Sequence, residues 1–306
     1  MSSNLIPGKG CRALSRAAKE TMIPYIDTHA HLSMLERRGV DPHRTLSGLF
    51  AGAFAGIIDI SLDPGDLPAR VREFSRYPAV RFASGLWPRR EVIEDRTALV
   101  AALERDIAAV RGGAAAVQSV DNANAASAEL VCALGEFGLD HHWNGEDHVP
   151  GGSADTAGER ELMEMQMDLA RRLSLPVIIH SRDAPEETAE ILKRCPEVSG
   201  VIHCFSYGAE EVKTFLDLGY FISFAGNLTY KNAGNIRDAC VLVPAGRILL
   251  ETDCPFLAPV PHRGKPAHPG MVEETYGLAA ELRKTTVEAL AEQAAQNTAA
   301  LFGVRF

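Results

Sequence analysis

The sequence predicts an α/β protein, a single-domain (β/α)8 TIM barrel, and three observations carry that prediction. Eight short apolar or β-branched runs alternate with longer helix-period segments from Ile23 onward. Most of the runs are nearly continuous apolar stretches, as parallel strands covered on both faces should be. No Gly-rich phosphate turn follows the first run, which disfavours the doubly wound open sheet. The length of 306 residues suits one large barrel or two domains of about 150 residues. The unbroken alternation selects the barrel.

The elements follow in order. Residues 1–21 hold Lys9, Arg12, Arg16 and Lys19 against Glu20 and lack an apolar h-region. They read as a disordered or accessory tail rather than a secretory signal, with the barrel domain at 22–306. Strand-like runs lie at Tyr25–His29, Gly56–Leu62, Val80–Leu86 and Leu130–Phe137. Four more lie at Pro176–His180, Gly200–Cys204, Tyr220–Phe224 and Arg247–Glu251. Arg111–Ala128, rich in Ala, Gly and Asn, reads as an inserted loop before the fourth strand. Glu159–Leu173 places Leu162, Met165, Leu169 and Leu173 on one helix face as a core stripe. Ala209–Leu218 stops at Gly219, a C′ glycine, and Glu273–Phe302 reads as helices that close the barrel.

Composition narrows the function. Lys plus Arg is 31 against 40 for Asp plus Glu, a formal charge of −9. That excludes a strongly basic, non-specific nucleic-acid binder. A hydrophobic fraction of 46% excludes wholesale disorder. The six cysteines (Cys11, Cys132, Cys195, Cys204, Cys240 and Cys254) form no C-x-x-C and read as reduced thiols of a cytoplasmic protein. No apolar run approaches the roughly 20 residues of a membrane span.

Chemistry in such a barrel sits at the C-terminal strand ends. There the sequence brings His29 and His31, Glu136, His180, His203 and Asp253 to one rim. His29 and His31, two apart on a strand, point to the same side and can grip one ion. Imidazole and carboxylate donors suit Zn²⁺, Mn²⁺, Mg²⁺ or related divalent cations, and the set is large enough for one or two. Two such ions need a bridging carboxylate and a shared water, which becomes the nucleophile. Glu136 is the natural bridge, and Asp253 is the natural general base. The remaining histidines His43, His148 and His268 default to the surface. His141, His142 and Trp143 follow the fourth strand and are candidates to line the site.

The sequence resembles the TatD-type metal-dependent hydrolases, within the amidohydrolase-like barrel group, over Ile23 to Gly303. The resemblance is carried by Ile26-Asp27-Thr28-His29-Ala30-His31-Leu32, Gly135-Glu136-Phe137-Gly138-Leu139-Asp140 and His180-Ser181-Arg182-Asp183-Ala184. His203-Cys204-Phe205-Ser206, Ile222–Thr229, Glu251-Thr252-Asp253-Cys254-Pro255 and Pro261-His262-Arg263-Gly264-Lys265 extend it. It implies a barrel hydrolase with a one- or two-metal centre, acting chiefly as a deoxyribonuclease. His29, His31, Glu136, His180, His203 and Asp253 match the ligands of that family. Three departures touch the substrate rim. Pro266-Ala267-His268-Pro269 stands where an Asn near a Pro is usual, His141-His142 stands where an aromatic is commoner, and Arg111–Ala128 is longer than usual.

The leading expectation is therefore hydrolysis of DNA phosphodiesters, 3′–5′ exonuclease-like on single-stranded ends. Bound cations would supply the positive charge that the chain lacks. Arg182, Arg263 and Lys265 are the phosphate-contact candidates, Lys231 a weaker one, and Trp87 and Phe205 candidate stacking groups. The same centre would also suit an amide, ester or aminoacyl-tRNA linkage. A metal-binding interaction protein without activity is the third reading, disfavoured because all six ligands are present.

Overall fold

Short apolar strands covered by amphipathic helices bury both faces of every strand at once when the sheet closes on itself. The computed structural model of the chain describes residues 23–52, 54–61, 63–112, 130–145 and 152–306. Eight strands, β1 (Ile26–Ala30), β2 (Gly56–Ile60), β3 (Val80–Ser84), β4 (Val131–Asp140), β5 (Val177–Arg182), β6 (Gly200–Ile202), β7 (Phe221–Phe224) and β8 (Ile248–Leu250), pair in sequence order. Every neighbouring pair is parallel. The barrel closes just beyond β1 and β8, where His31 N donates to Cys254 O and Asp253 N to His29 O, both at 2.9 Å. Asp27 fastens the same seam from β1, accepting from Thr252 N at 2.9 Å and Thr252 Oγ1 at 2.6 Å.

Two apolar layers hold the barrel. Outward strand residues such as Ile57, Phe82, Leu134, Ile179, Ile222 and Leu250 pack under the surrounding helices. Inward residues, Ile58, Ile60, Ala133, Ile178, Val201 and Leu249, form a lower core with Leu301, Phe302 and Val304. Phe306 packs against that lower core and its ring lies under Arg81, 5.6 Å from the guanidinium carbon.

The expected elements are present, with differences at their ends. β4 runs on to Asp140, past the expected stop at Phe137, because Gly138, Leu139 and Asp140 keep pairing with His180, Ser181 and Arg182. Gly138 permits this close approach: at φ +154° a Cβ there would lie 1.8 Å from the His180 carbonyl oxygen. β6 and β8 are shorter than expected, so His203, Cys204 and Glu251 fall just past the strands, and Cys204 turns the chain at φ 46°.

Helix Thr156–Leu173 starts on the side chain of Asp155, which accepts from Gly158 N, and ends at Ser174 in the left-handed region. Its buried face carries Leu162, Met163, Met167 and Leu169. Met165 and Leu173, expected in that stripe, are only partly buried against the core. Gly219 follows helix Ala209–Asp217 at φ +86°, as its role beyond the C-terminus requires. Helices Val272–Leu282 and Val287–Phe302 close the barrel, Tyr276 bonding Ile26 O and Asn297 bonding Ile248 O. The tail 1–21, most of Arg111–Ala128 and His148 lie outside the described residues. Among the described residues no helix is long and apolar enough to cross a membrane, and the cysteines present are free.

Candidate metal centre

The six side chains picked out at the strand ends converge on one point at the rim. His29 Nε2 lies 3.1 Å from Glu136 Oε2 and 3.3 Å from His31 Nε2. Asp253 Oδ1 closes this group, 3.3 Å from His31 Nε2 and 3.7 Å from His29 Nε2. On the other side of the same carboxylate, Glu136 Oε1 stands 3.2 Å from both His180 Nδ1 and His203 Nε2. Those two nitrogens are themselves 3.2 Å apart. Glu136 thus gives one oxygen to each pair of histidines.

The outer nitrogens decide what the inner ones can do. His31 Nδ1 faces the Ile60 carbonyl at 3.2 Å, His180 Nε2 faces Asp140 Oδ2 at 2.9 Å, and His203 Nδ1 faces Glu251 Oε1 at 3.2 Å. Each of these outer partners is an acceptor, so each ring places its proton outward. The inner nitrogens then point lone pairs at one another and at two carboxylates. Such a convergence is repulsive unless a cation or extra protons fill it, and the nitrogen and oxygen donors suit a divalent cation. His29 Nδ1 is buried without a partner among the described residues. The donor set fits the expected metal: His29, His31 and Glu136 for one ion, with Asp253 Oδ1 beside the two histidines, and Glu136, His180 and His203 for a second.

The acid–base balance says the same. Burial opposes charge on Glu136, yet the neighbouring His203, His180 and His29 hold its carboxyl well below the usual range. Burial also works against His180 and His203, but Asp140, Glu136 and Glu251 outweigh it, lifting His180 to about 9 and His203 well upward. His31 is raised in the same way, against its burial, by Asp253 and Glu136. His29 is lowered by burial and by His203. The cluster as a whole demands positive charge.

Backbone and buried side chains set this geometry. His29 N donates to Asp27 Oδ1 at 3.2 Å, and Leu32 N, just past His31, donates to Asp59 Oδ1 at 2.9 Å. Arg70 holds Asp59 in turn, Nη1 to Oδ2 at 2.7 Å. Glu251 accepts from Cys204 N at 2.8 Å while it faces His203. Asp253 is in the left-handed region at φ 56°, a conformation disfavoured for a non-glycine residue and typical of functional sites.

A family of sequences described as TatD related DNase matches residues 26–303. The chain belongs to this family. It is 31% identical over 280 residues to the uncharacterized metal-dependent hydrolase YabD of Bacillus subtilis, covering 91% of this chain and 98% of YabD. It is 41% identical over 181 residues to YcfH of Escherichia coli K12, an uncharacterized metal-dependent hydrolase; that match spans 58% of this chain and 65% of YcfH. Among solved structures, the TatD homolog YjjV of Escherichia coli K12 superposes with a TM-score of 0.75 at 28% identity, covering 92% of this chain and 98% of YjjV. The TatD membership and the barrel agree with the resemblance drawn from the motifs.

In this TatD chain a cavity of about 730 Å³ opens above the cluster. Its floor includes His31, Glu136, His180, His203 and Asp253, and Arg182 stands in its wall. Arg263 and Lys265 are exposed and lie outside the cavity lining, with the Arg263 guanidinium carbon 3.7 Å above the Tyr230 ring. Lys231 is exposed as well and also lies outside that lining. Phe205, expected as a stacking group, is buried against Phe215 and Phe224 because its side chain turns under the rim into the helix layer. Of the residues after β4, Trp143 lines the cavity, whereas His141 faces Glu187 Oε2 at 3.4 Å and His142 faces Asp183 Oδ2 at 3.7 Å. His43 sits beside Tyr77, and His268, expected at the surface, is half-buried.

Sequence reading missed the outer partners Asp140 and Glu251, and the buried Asn144 and Glu159 behind the rim. Glu251 carried a signal as the acid that ends an otherwise apolar run, and Asp140 as the last residue of the Gly135–Asp140 motif. Asn144 and Glu159 carried none.

Proposed function

We propose that the chain is a divalent-metal-dependent hydrolase that removes nucleotides from single-stranded DNA ends by cleaving phosphodiester bonds. The observation that carries this reading is the shared Glu136, one oxygen to each histidine pair, at the floor of a cavity that also holds Arg182. The family name supports the choice of bond. His29, His31, Glu136, His180, His203 and Asp253 would hold one or two cations such as Zn²⁺, Mn²⁺ or Mg²⁺. A divalent cation there supplies Lewis acidity and makes water acidic near neutral pH.

The chain's own groups do the rest. The Asp253 carboxylate lines the cavity with its side chain 15% exposed, and it accepts the proton of the attacking water. Arg182 pairs with a phosphate oxygen and fixes the phosphorus over the floor. Asp140 and Glu251 keep His180 and His203 turned inward. The apolar wall of Pro88, Phe256 and Leu257 excludes bulk water. That same wall favours an ester or amide, including an aminoacyl linkage, as the second reading of this centre.

End-labelled single-stranded DNA incubated with metal-replete protein should shorten stepwise, and Asp253→Asn should slow this by about 10²–10⁴-fold. Intact DNA, with wild type and Asp253→Asn indistinguishable, would overturn the nuclease. Hydrolysis of an aminoacyl ester by the same preparation, without DNA cleavage, would select the second reading.

A further inference from the structure

The proposed centre explains the floor of the cavity and leaves its two indoles without a role. The chain has two tryptophans, and both Trp87 and Trp143 line this cavity. Trp87 follows β3 and meets the His180 ring edge-on, centroids 5.8 Å apart. Trp143 lies in the short helix His141–Asn144 after β4 and is 39% exposed.

The two segments that bear them are fastened together. Asn144 Nδ2 donates to Pro88 O at 2.7 Å, so the residue after one indole is bonded to the residue after the other. The same amide donates to Glu159 Oε1 at 3.0 Å, and its oxygen accepts from Ser153 N at 2.7 Å. Glu159 Oε1 also accepts from Asp140 N at 2.7 Å, and Asp140 Oδ1 caps Trp143 N at 3.0 Å. Asn144 and Glu159 are buried. The backbone segments that bear the indoles are therefore joined by hydrogen bonds, in a network that also includes Asp140, the partner of His180.

Two indoles lining a cavity whose floor demands cations match a ligand with an anion at one end and a flat π face at the other. We infer that Trp87 and Trp143 form a stacking site for the nucleobase of the terminal nucleotide, with Asn144 as their positioning residue. The ligand class rests on the nuclease reading above. Stacking needs no base-specific hydrogen bond, so this wall accepts any base. It also adds affinity that does not depend on charge, which a chain of net charge −9 needs when it holds a polyanion.

The test compares dAMP with abasic 2-deoxyribose 5-phosphate on the full chain loaded with Mn²⁺, by titration calorimetry and tryptophan emission. The expected result is binding of dAMP about 5- to 100-fold tighter than the sugar phosphate, with quenching. Trp143→Ala and Trp87→Ala should each erase most of that preference, and Trp143→Phe should restore most of it. Equal affinity for the two ligands in the wild type overturns the wall, as does a preference that survives both alanine variants. Base preference without DNA cleavage supports the wall and overturns the nuclease reading. DNA cleavage without base preference overturns the wall alone.

Discussion

Glu136 is the residue on which the centre turns, because its two oxygens serve different histidine pairs. Asp253 Oδ1 faces the pair His29 and His31. Glu136→Gln should therefore lower the metal bound per chain at both positions, and Asp253→Asn at one, as read by elemental analysis after dialysis. Equal metal content in both variants would count against the shared carboxylate. Proton linkage gives a second expectation. His180 is more basic in the fold than its ordinary value of 6.5, at about 9. Its protonation stabilises the ion-free protein fully below pH 6.5, and that contribution fades as pH rises toward 9. Chelated protein should thus melt at a lower temperature at pH 9 than at pH 6.5, with Mn²⁺ or Zn²⁺ removing the difference by replacing the protons. A melting temperature that rises over this interval contradicts it. The inward ligands were readable in the sequence because a strand end fixes where a side chain goes by period alone. Asn144 and Glu159 were not, since their role comes from bonds between segments far apart in the chain.

Between elements, the close β4–β5 contact and the Arg70 anchor carry the most testable geometry. Gly138→Ala forces a Cβ to 1.8 Å from the His180 carbonyl oxygen. Either β4 or β5 must move, at a cost of about 3 kcal/mol or more, and His180 moves with it. Chemical denaturation should show the loss, together with weaker metal binding. Arg70 binds Asp59 Oδ2, Asp66 Oδ1 and the carbonyls of Asp59 and Ala83 while wholly buried. Arg70→Ala leaves Asp59 buried without its charge partner and should destabilise by about 3–5 kcal/mol. A loss under about 1 kcal/mol would mean that the pair is not held as described. Strand order was legible from apolar runs, whereas strand ends were not. β4 outlasts its apolar run because Gly138 and Asp140 find partners on β5, and β6 stops short because Cys204 turns the chain.

At the scale of the whole molecule, the barrel is open at the top and plugged at the bottom. A Cβ on Gly56 would lie 2.1 Å from the Phe306 ring, so the base of β2 is shaped to receive it. Phe306→Ala should lower stability by about 2 kcal/mol, less than for a fully buried ring, and leave metal content unchanged. Unchanged stability would show that the ring does not seat there in solution. The rim basic groups were the least legible part of the sequence. Arg263 lies within a motif match, yet its guanidinium sits over the Tyr230 ring, which local spacing does not disclose.

The plug also orders events in time. Leu301, Phe302, Val304 and Phe306 are translated after all eight strands, yet they complete the apolar core at the strands' lower end. A chain still on the ribosome can pair its sheet and assemble the rim while Ile58, Ile60, Val201 and Leu249 remain open to water below. Apolar surface left open in this way is prone to aggregate until the plug docks. The centre can thus form before the barrel is sealed, and the lower core stays open until Leu301, Phe302 and Val304 dock with Phe306 against it.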